Sequence, residues 1–229
     1  MYTNYEDFAK RLYEERMKYN ISQSTMSKKV HMLSSHYMKC EKGYNRFAYY
    51  ELQNICTTDV DLFYCFTGKR GVYNNQYKEL FADADMEQLV CCLQVIHLCA
   101  NVKRKKGAYK EEWEQIFHDI NYLTYVDIGL SEERNIFKSV RDYNGLSQIS
   151  MAEELGMDVK KFRNLECGKI LPDSEIIFQM FSNYHISPSA FLRHSKCFRD
   201  ELIYILNSHS GKVGDELLLL VKTVLFFVE

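Results

Sequence analysis

Cysteine and histidine are the residues of this sequence with the widest catalytic and metal-binding chemistry. The chain has eight cysteines and seven histidines, but no C-x-x-C pair and no histidine at zinc-ligand spacing. It also has no G-x-S-x-G elbow, no phosphate-cradling glycine loop and no H-E-x-x-H helix. The sequence therefore predicts no enzyme, no metal site and no cofactor. A cysteine and a histidine paired across the fold remain an alternative that nothing in the sequence requires.

The positions of the cysteines and the absence of long apolar runs indicate the compartment. Cys91, Cys92 and Cys99 lie in one apolar, helix-like segment, where a thiol serves as a small hydrophobe. Reduced packing cysteines are typical of a cytosolic protein. Residues 1–7 have neither a basic nor an apolar region of a signal peptide. The longest apolar run, 217–221, is far shorter than the roughly 20 residues of a membrane span. We expect a soluble, cytoplasmic protein without membrane contact.

The charge of the chain is unevenly distributed. The formal net charge is −2, but residues 1–70 hold eleven Lys/Arg against eight Asp/Glu, and residues 71–130 hold six against nine. Affinity for nucleic acid comes from clustered Lys and Arg, whose contacts with phosphates weaken as salt rises. Any affinity for DNA is therefore expected to be modest and strongly salt-dependent.

A duplicated segment is the most informative pattern in the sequence. Ile21-Ser22-Gln23 and Leu146-Ser147-Gln148 are 125 residues apart, and the flanking positions keep this spacing without a gap. The other matched pairs are Arg16 with Arg141, Met26 with Met151, Val30 with Leu155, Met32 with Met157, Tyr37 with Phe162, Cys40 with Leu165, Glu41 with Glu166 and Gly43 with Gly168. So many matches at one spacing predict that one structural unit occurs twice.

Each copy has the pattern of several short helices. In the first copy, Ser22 stands at the N-cap of a second helix whose inner face carries Met26 and Val30. A third helix presents Tyr37 and Cys40 inward, and Gly43 ends it. In the second copy these parts fall to Ser147, Met151, Leu155, Phe162, Leu165 and Gly168, and a fourth helix begins at Pro172-Asp173-Ser174. Two helices joined by a three- or four-residue turn form a helix-turn-helix motif.

The second copy, Leu146 to Pro172, resembles the Cro/C1 (Xre-type) helix-turn-helix family. The residues that carry the resemblance are the turn glycine Gly156, the cap Asp158 and the Glu166-Cys167-Gly168 ending, followed by Pro172. The resemblance implies an all-α fold with two lambda-repressor-like helix-turn-helix modules, each followed by additional packing helices.

The first copy keeps the spacing of this family but departs from its pattern at three positions. His31 stands in place of the turn glycine, Leu33 in place of the cap, and Phe47 where proline is expected. Histidine tolerates left-handed backbone better than most residues, whereas loss of a cap typically costs about 1 kcal/mol. The first module is therefore expected to be divergent.

The resemblance implies that the third helix of each module enters the major groove of double-stranded DNA. By position, the base contacts would come from Ser34, Ser35, His36 and Lys39 in the first copy and from Val159, Lys160, Lys161 and Asn164 in the second. Lysine can donate to guanine, asparagine can pair with adenine, and valine can meet a thymine methyl group. Phosphate contacts would come from Gln23, Lys42, Gln148 and Lys169. The resemblance also implies two structural ion pairs, Arg16–Glu41 and Arg141–Glu166.

These patterns divide the chain into four segments. We expect a first module over 1–70, a helical connecting region over 71–128, a second module over 129–192 and a C-terminal helical region over 193–229. The connecting and C-terminal regions both carry helices so apolar that they must be buried, on each other or on a second chain. Two arrangements stay open. One is a pseudo-dimer within one chain, with recognition helices about 34 Å apart. The other is a homodimer through the apolar C-terminal helices, in which only one module per chain reads DNA.

Two functions are consistent with these features. The first is a sequence-specific DNA-binding transcription regulator, specifically a repressor, that occupies a short duplex site. The second is a helix-turn-helix-derived protein-interaction module, such as an antitoxin or a regulator of another protein, that has lost DNA binding. The slight negative charge and the seventeen tyrosines favour the second, because tyrosine is common in interfaces.

Overall fold

The computed structural model describes residues 5–70, 75–106, 108–121 and 135–228, and all regular secondary structure in these ranges is α-helical. The predicted all-α fold is confirmed. The helices are α1 (Tyr5–Lys18), α2 (Gln23–Lys29), α3 (Ser34–Glu41), α4 (Tyr49–Cys56), α5 (Leu62–Thr67), α6 (Asn75–Leu80), α7 (Met86–Lys103), α8 (Lys110–Asn121), α9 (Ile136–Tyr143), α10 (Gln148–Glu154), α11 (Val159–Glu166), α12 (Ser174–Tyr184), α13 (Pro188–Leu192), α14 (Ser195–Asn207) and α15 (Gly211–Val228). Among these described helices, none is long and apolar enough to cross a membrane.

The helix bounds repeat at the spacing found in the sequence. Helices α2 and α10, and likewise α3 and α11, are separated by 125 residues at both their first and their last residue. The same spacing relates both ends of α7 to those of α15, and the start of α4 to that of α12. The duplication therefore extends beyond the short helices to the long apolar ones. We call the two copies repeat one and repeat two; α8 lies between them in the chain.

The turns of the two repeats share their backbone conformation as well. Four pairs of positions 125 residues apart have a left-handed backbone. They are Asn20 (φ 53°) with Gly145 (φ 65°), His31 (φ 56°) with Gly156 (φ 62°), Gly43 (φ 77°) with Gly168 (φ 66°), and Gly68 (φ 71°) with Arg193 (φ 46°). His31 thus adopts the conformation that glycine has in repeat two, at a steric cost that glycine does not bear.

The helices pack into two compact units, each built from equivalent parts of both repeats. Unit 1 comprises Met1–Gly68 and Ile128–Leu192, and unit 2 comprises Lys69–Asp127 and Arg193–Glu229. The structure thus groups the first predicted segment with the third, and the second with the fourth. The predicted boundary near residue 71 and the one at 128–129 lie at or within ranges 71–74 and 122–134. These two ranges are outside the described residues.

In unit 1 the two repeats contact each other reciprocally. Helix α4 packs on α13, and α5 packs on α12, which is the same contact with the repeats exchanged. The equivalent helices α5 and α13 also touch. Such reciprocity is what a two-fold interface between two copies produces. The guanidinium of Arg46 in repeat one lies 2.8 Å from the Glu175 carboxylate of repeat two and 4.1 Å over the Tyr5 ring.

In unit 2 the apolar helix α7 packs on α8, α14 and α15. Its buried Cys92 and Ile96 stand 125 residues from Leu217 and Val221, which are buried on α15, and Trp113 of α8 completes this core. The expected burial is confirmed for one face of each apolar helix, and these faces pack on each other, whereas Leu98 of α7 and Phe226 and Phe227 of α15 are 64%, 73% and 78% exposed. The hydrophobic effect explains this packing, because apolar side chains cost free energy when they are left in water.

Candidate nucleic-acid interface

A buried ion pair fixes the end of α3 to α1. Arg16 Nε and Nη2 donate to the two oxygens of Glu41 over 2.6 and 2.9 Å, and both side chains are at most 4% exposed. Arg16 Nη1 also donates to the Ile21 carbonyl over 2.5 Å, and Tyr37 donates its hydroxyl to Glu41 over 3.1 Å. The hydrogen bond to Glu41 raises the pKa of Arg16 above its ordinary value. Both carboxylate oxygens of Glu41 are thus occupied by charge-assisted hydrogen bonds.

Repeat two contains the corresponding pair at a more open position. Arg141 Nε donates to Glu166 over 2.5 Å, and Arg141 Nη1 donates to the Leu146 carbonyl over 3.1 Å. The side chains are 16% and 6% exposed, and Arg141 also lies 2.8 Å from Asp142. The pair keeps the geometry of its counterpart, but water reaches the guanidinium.

The two glutamines at the starts of α2 and α10 belong to these networks. Gln23 Nε2 donates to Glu41 over 2.6 Å, and Gln148 Nε2 donates to Glu166 in the same way. Both side chains are half-buried. The family resemblance implies phosphate contacts for these two glutamines, and nothing in the sequence indicates that they hydrogen-bond to the ion-paired glutamates. Each glutamine links the first turn of one helix to the last turn of the next.

The caps of the two helix pairs agree with the sequence pattern, including the missing cap at Leu33. Ser22 and Ser147 each accept a backbone N–H over 3.0 Å at the start of α2 and α10. Asp158 accepts from the Lys160 backbone N–H over 2.7 Å and caps α11, whereas Leu33 offers α3 no side-chain acceptor. The predicted inward residues of α3 and α11 are indeed buried; Tyr37, Cys40, Phe162 and Leu165 are at most 1% exposed.

The residues predicted to contact bases in repeat one fall into two groups. Ser35 and Lys39 are exposed, as is Ser34, whose hydroxyl lies 2.8 Å from that of Ser27. His36 instead turns toward α4. Its Nε2 lies 3.2 Å from Glu51 Oε1 and its Nδ1 lies 3.3 Å from Asn45 Nδ2. The structure therefore brings His36 into a cluster that sequence reasoning did not identify.

In repeat two the corresponding residues form a basic face. Lys160 and Lys161 are exposed, while Val159 and Asn164 are half-buried on the same helix. Lys161 Nζ lies 3.3 Å from Asp173, so part of its charge is compensated. Beyond the ends of α3 and α11, Lys42 and Lys169 are also exposed. The start of α11 thus presents amine donors and one amide to solvent.

The sequence reading missed a further cation on this face. Arg163 of α11 is exposed, and its Nε donates to Gln148 Oε1 over 3.1 Å. It lies between Lys161 and Asn164, two of the predicted base contacts. The density of basic residues along 160–169 is the sequence feature that points to it. Arginine can form two parallel hydrogen bonds with a phosphate or a guanine.

No protein-family model, curated protein or solved structure matches this chain.

Proposed function

We propose that this chain is a sequence-specific DNA-binding transcription regulator, specifically a repressor, that reads the major groove with α11 and with α3. One observation carries the proposal. A short helix pair, held by an arginine–glutamate–glutamine network, occurs twice at one spacing, and each copy leaves the start of its second helix exposed. This is the geometry that helix-turn-helix proteins use to place a recognition helix against base edges.

The reciprocal packing within unit 1 supports the pseudo-dimer arrangement over a homodimer. Repressor dimers place two recognition helices about 34 Å apart on one face of DNA. One chain with two such helices would read two half-sites without a second copy. Because Ser35 and Lys39 of α3 differ from Lys160 and Asn164 of α11, the two half-sites would differ in sequence.

A second function has a specific observation in its favour. Leu33 just before α3, Tyr44 after it and Tyr50 on α4 are 78%, 76% and 70% exposed. Large apolar and aromatic side chains are enriched in protein interfaces. Repeat one would then bind another protein, as an antitoxin or as a regulator of that protein, and repeat two would either read DNA alone or have lost that role.

The deciding experiment selects bound duplexes from a pool of random DNA at about 50 and about 200 mM salt, and then sequences them. Lys160→Ala/Lys161→Ala and Lys39→Ala are compared with the wild type. Lys138→Ala, at an exposed lysine on α9, is the charge-matched control for Lys39→Ala. A recovered motif that weakens with salt, and that loses roughly 10- to 100-fold affinity in the double variant, supports the proposal.

The Lys39 variant separates the two repeats. Loss of one half-site only, with the other kept, means that both repeats read DNA. A motif with a single half-site, unaffected by Lys39→Ala, restricts reading to repeat two. If no motif is enriched at either salt concentration, the proposal of a repressor is wrong and the protein-interaction function is favoured.

A further inference from the structure

Three side chains of repeat one converge at the junction of α3 and α4. His36 and Cys40 lie four residues apart on one face of α3, and Glu51 stands in the first turn of α4. One ligand atom of each lies within 4.8 Å of the others. His36 Nε2 is 3.7 Å from Cys40 Sγ and 3.2 Å from Glu51 Oε1. We propose that His36, Cys40 and Glu51 bind a divalent zinc ion.

The distances from His36 Nε2 to the other two ligand atoms fit tetrahedral coordination. With Zn–S near 2.3 Å, Zn–N near 2.05 Å and Zn–O near 2.0 Å, tetrahedral angles give about 3.6 Å between sulfur and nitrogen and about 3.3 Å between nitrogen and oxygen. The two measured distances, 3.7 and 3.2 Å, lie close to these values. Zinc therefore requires little movement of His36 relative to Cys40 and Glu51.

The donor set selects zinc by its chemistry. A thiolate, an imidazole and a carboxylate are the three ligand types that zinc takes in proteins, and the thiolate disfavours magnesium and calcium. On binding, Cys40 releases its thiol proton to solvent and the His36 proton moves from Nε2 to Nδ1. The His36 and Glu51 side chains are 39% and 22% exposed, so a water molecule can reach the fourth position.

Two of the three ligands, His36 and Glu51, are oriented by a second contact. Asn45 Nδ2 lies 3.3 Å from His36 Nδ1, and a half-turn of the Asn45 amide would place its oxygen there to accept the Nδ1 proton once Nε2 holds the metal. Glu51 uses its other oxygen, Oε2, to accept the Ala48 backbone N–H over 2.7 Å, which fixes the carboxylate at the start of α4. Asn45 is thus a positioning residue.

Repeat two shows that the fold itself does not require these ligands. The residues 125 positions later are Lys161, Leu165 and Ile176. Leu165 and Ile176 are buried at 1% and 3% exposure, so the same junction is filled by ordinary apolar packing. Repeat one places a thiol and a carboxylate at these positions. The zinc site is therefore specific to repeat one, and it would join α3 to α4 there.

The test uses Co²⁺ as a spectroscopic probe of the full-length, reduced protein, because a cobalt–thiolate bond produces a charge-transfer band in the near ultraviolet. Cys40→Leu carries the residue found in repeat two. Cys167→Ser removes an exposed thiol elsewhere and is the matched control. The wild type and Cys167→Ser are expected to show the band, and added Zn²⁺ to remove it by competition. Cys40→Leu and His36→Ala are expected to lose it.

Zinc affinity and thermal unfolding give a second readout. Outer-shell residues are worth 10- to 100-fold in metal affinity, so Asn45→Ala is expected to weaken Zn²⁺ binding by about that factor, and Cys40→Leu by at least about 100-fold. Added Zn²⁺ should raise the unfolding temperature of the wild type and leave that of His36→Ala unchanged. Glu51→Gln, which keeps an oxygen for the Ala48 contact, should bind more weakly.

The proposal is overturned if folded wild-type protein gives no thiolate band, or if Cys40→Leu keeps the wild-type band. It is equally overturned if Cys167→Ser abolishes the band, because the metal would then be bound elsewhere. If Cys40→Leu does not fold, as judged by its helical circular dichroism, His36→Ala decides by the same criteria. None of these outcomes depends on DNA binding.

Discussion

Phe47 and Ser174 are joined by two hydrogen bonds, one in each direction. The Phe47 backbone N–H donates to Ser174 Oγ over 3.0 Å, and the Ser174 backbone N–H donates to the Phe47 carbonyl over 2.9 Å. The Ser174 hydroxyl also lies 2.5 Å from that of Tyr5, and both Phe47 and Ser174 are fully buried. This contact joins the segment before α4 in repeat one to the first residue of α12 in repeat two.

Ser174→Ala is expected to destabilise the protein by about 1–3 kcal/mol. The substitution leaves the buried Phe47 N–H and Tyr5 hydroxyl without this partner, and a buried unpaired polar group costs this much. The free energy of unfolding from urea titration measures the loss. Ser24→Ala, at an exposed position of α2, should change stability by less than about 0.5 kcal/mol. Equal effects at the two serines would contradict a role for the Phe47 contact.

The two ion pairs should differ in their contribution to stability because they differ in burial. Arg16→Met leaves the buried Glu41 carboxylate without its guanidinium, which is expected to cost about 3–5 kcal/mol. Arg141→Met is expected to cost less, about 1–2 kcal/mol, because Arg141 is 16% exposed and water screens its pair. Chemical denaturation of both variants gives the comparison. A larger loss for Arg141→Met would show that the exposure of the pair does not control its contribution.

Much of the fold was accessible from sequence because the repeat encodes it locally. The caps Ser22 and Ser147 and the inward positions of α3 and α11 follow from residue type and helical spacing. The sequence also predicts apolar helices in the connecting and C-terminal regions, but the equivalence of Cys92 with Leu217 follows only from the helix bounds.

Side-chain partners distant in the chain could not be inferred in this way. Nothing about the residue type of Gln23 distinguishes a phosphate contact from a hydrogen bond to Glu41, because both need the same amide donor. The cluster at α3 and α4 was missed for a related reason. His36 and Cys40 are four residues apart, so their side chains are neighbours only if the segment is helical. Glu51 lies near them only because α4 packs beside the end of α3.

The missing cap of α3 can be supplied by copying repeat two. The Leu33 side chain is 78% exposed and offers no hydrogen-bond acceptor to α3, while the Asp158 carboxylate at the equivalent position accepts the Lys160 and Lys161 backbone N–H groups. Leu33→Asp is expected to raise the free energy of unfolding by about 0.5–2 kcal/mol. The reverse change, Asp158→Leu, should lower it by a similar amount. If Leu33→Asp instead destabilises the protein, Leu33 makes apolar contacts that its exposure does not suggest.

Acidification should weaken unit 2 through His194. Its Nδ1 accepts the Lys196 backbone N–H over 3.2 Å and caps α14, which requires the neutral ring. Burial, followed by the charges of Lys196 and Arg199, lowers the pKa of His194 below 6.5 in the folded protein, although Asp200 opposes this. The unfolded chain therefore binds the proton more readily. The contribution of His194 is present above the unfolded pKa of 6.5 and is lost as the pH falls below it.

Replacing His194 with asparagine isolates this effect. Asparagine can cap α14 but does not titrate, so His194→Asn should reduce the loss of stability between about pH 7 and about pH 5. His185→Asn is the matched control, because His185 is exposed and asparagine tolerates its φ of 55°. Urea unfolding at several pH values measures the slope for each protein. If His194→Asn and the wild type lose stability in parallel as the pH falls, other groups, such as the carboxylates, control acid unfolding and the neutral cap does not.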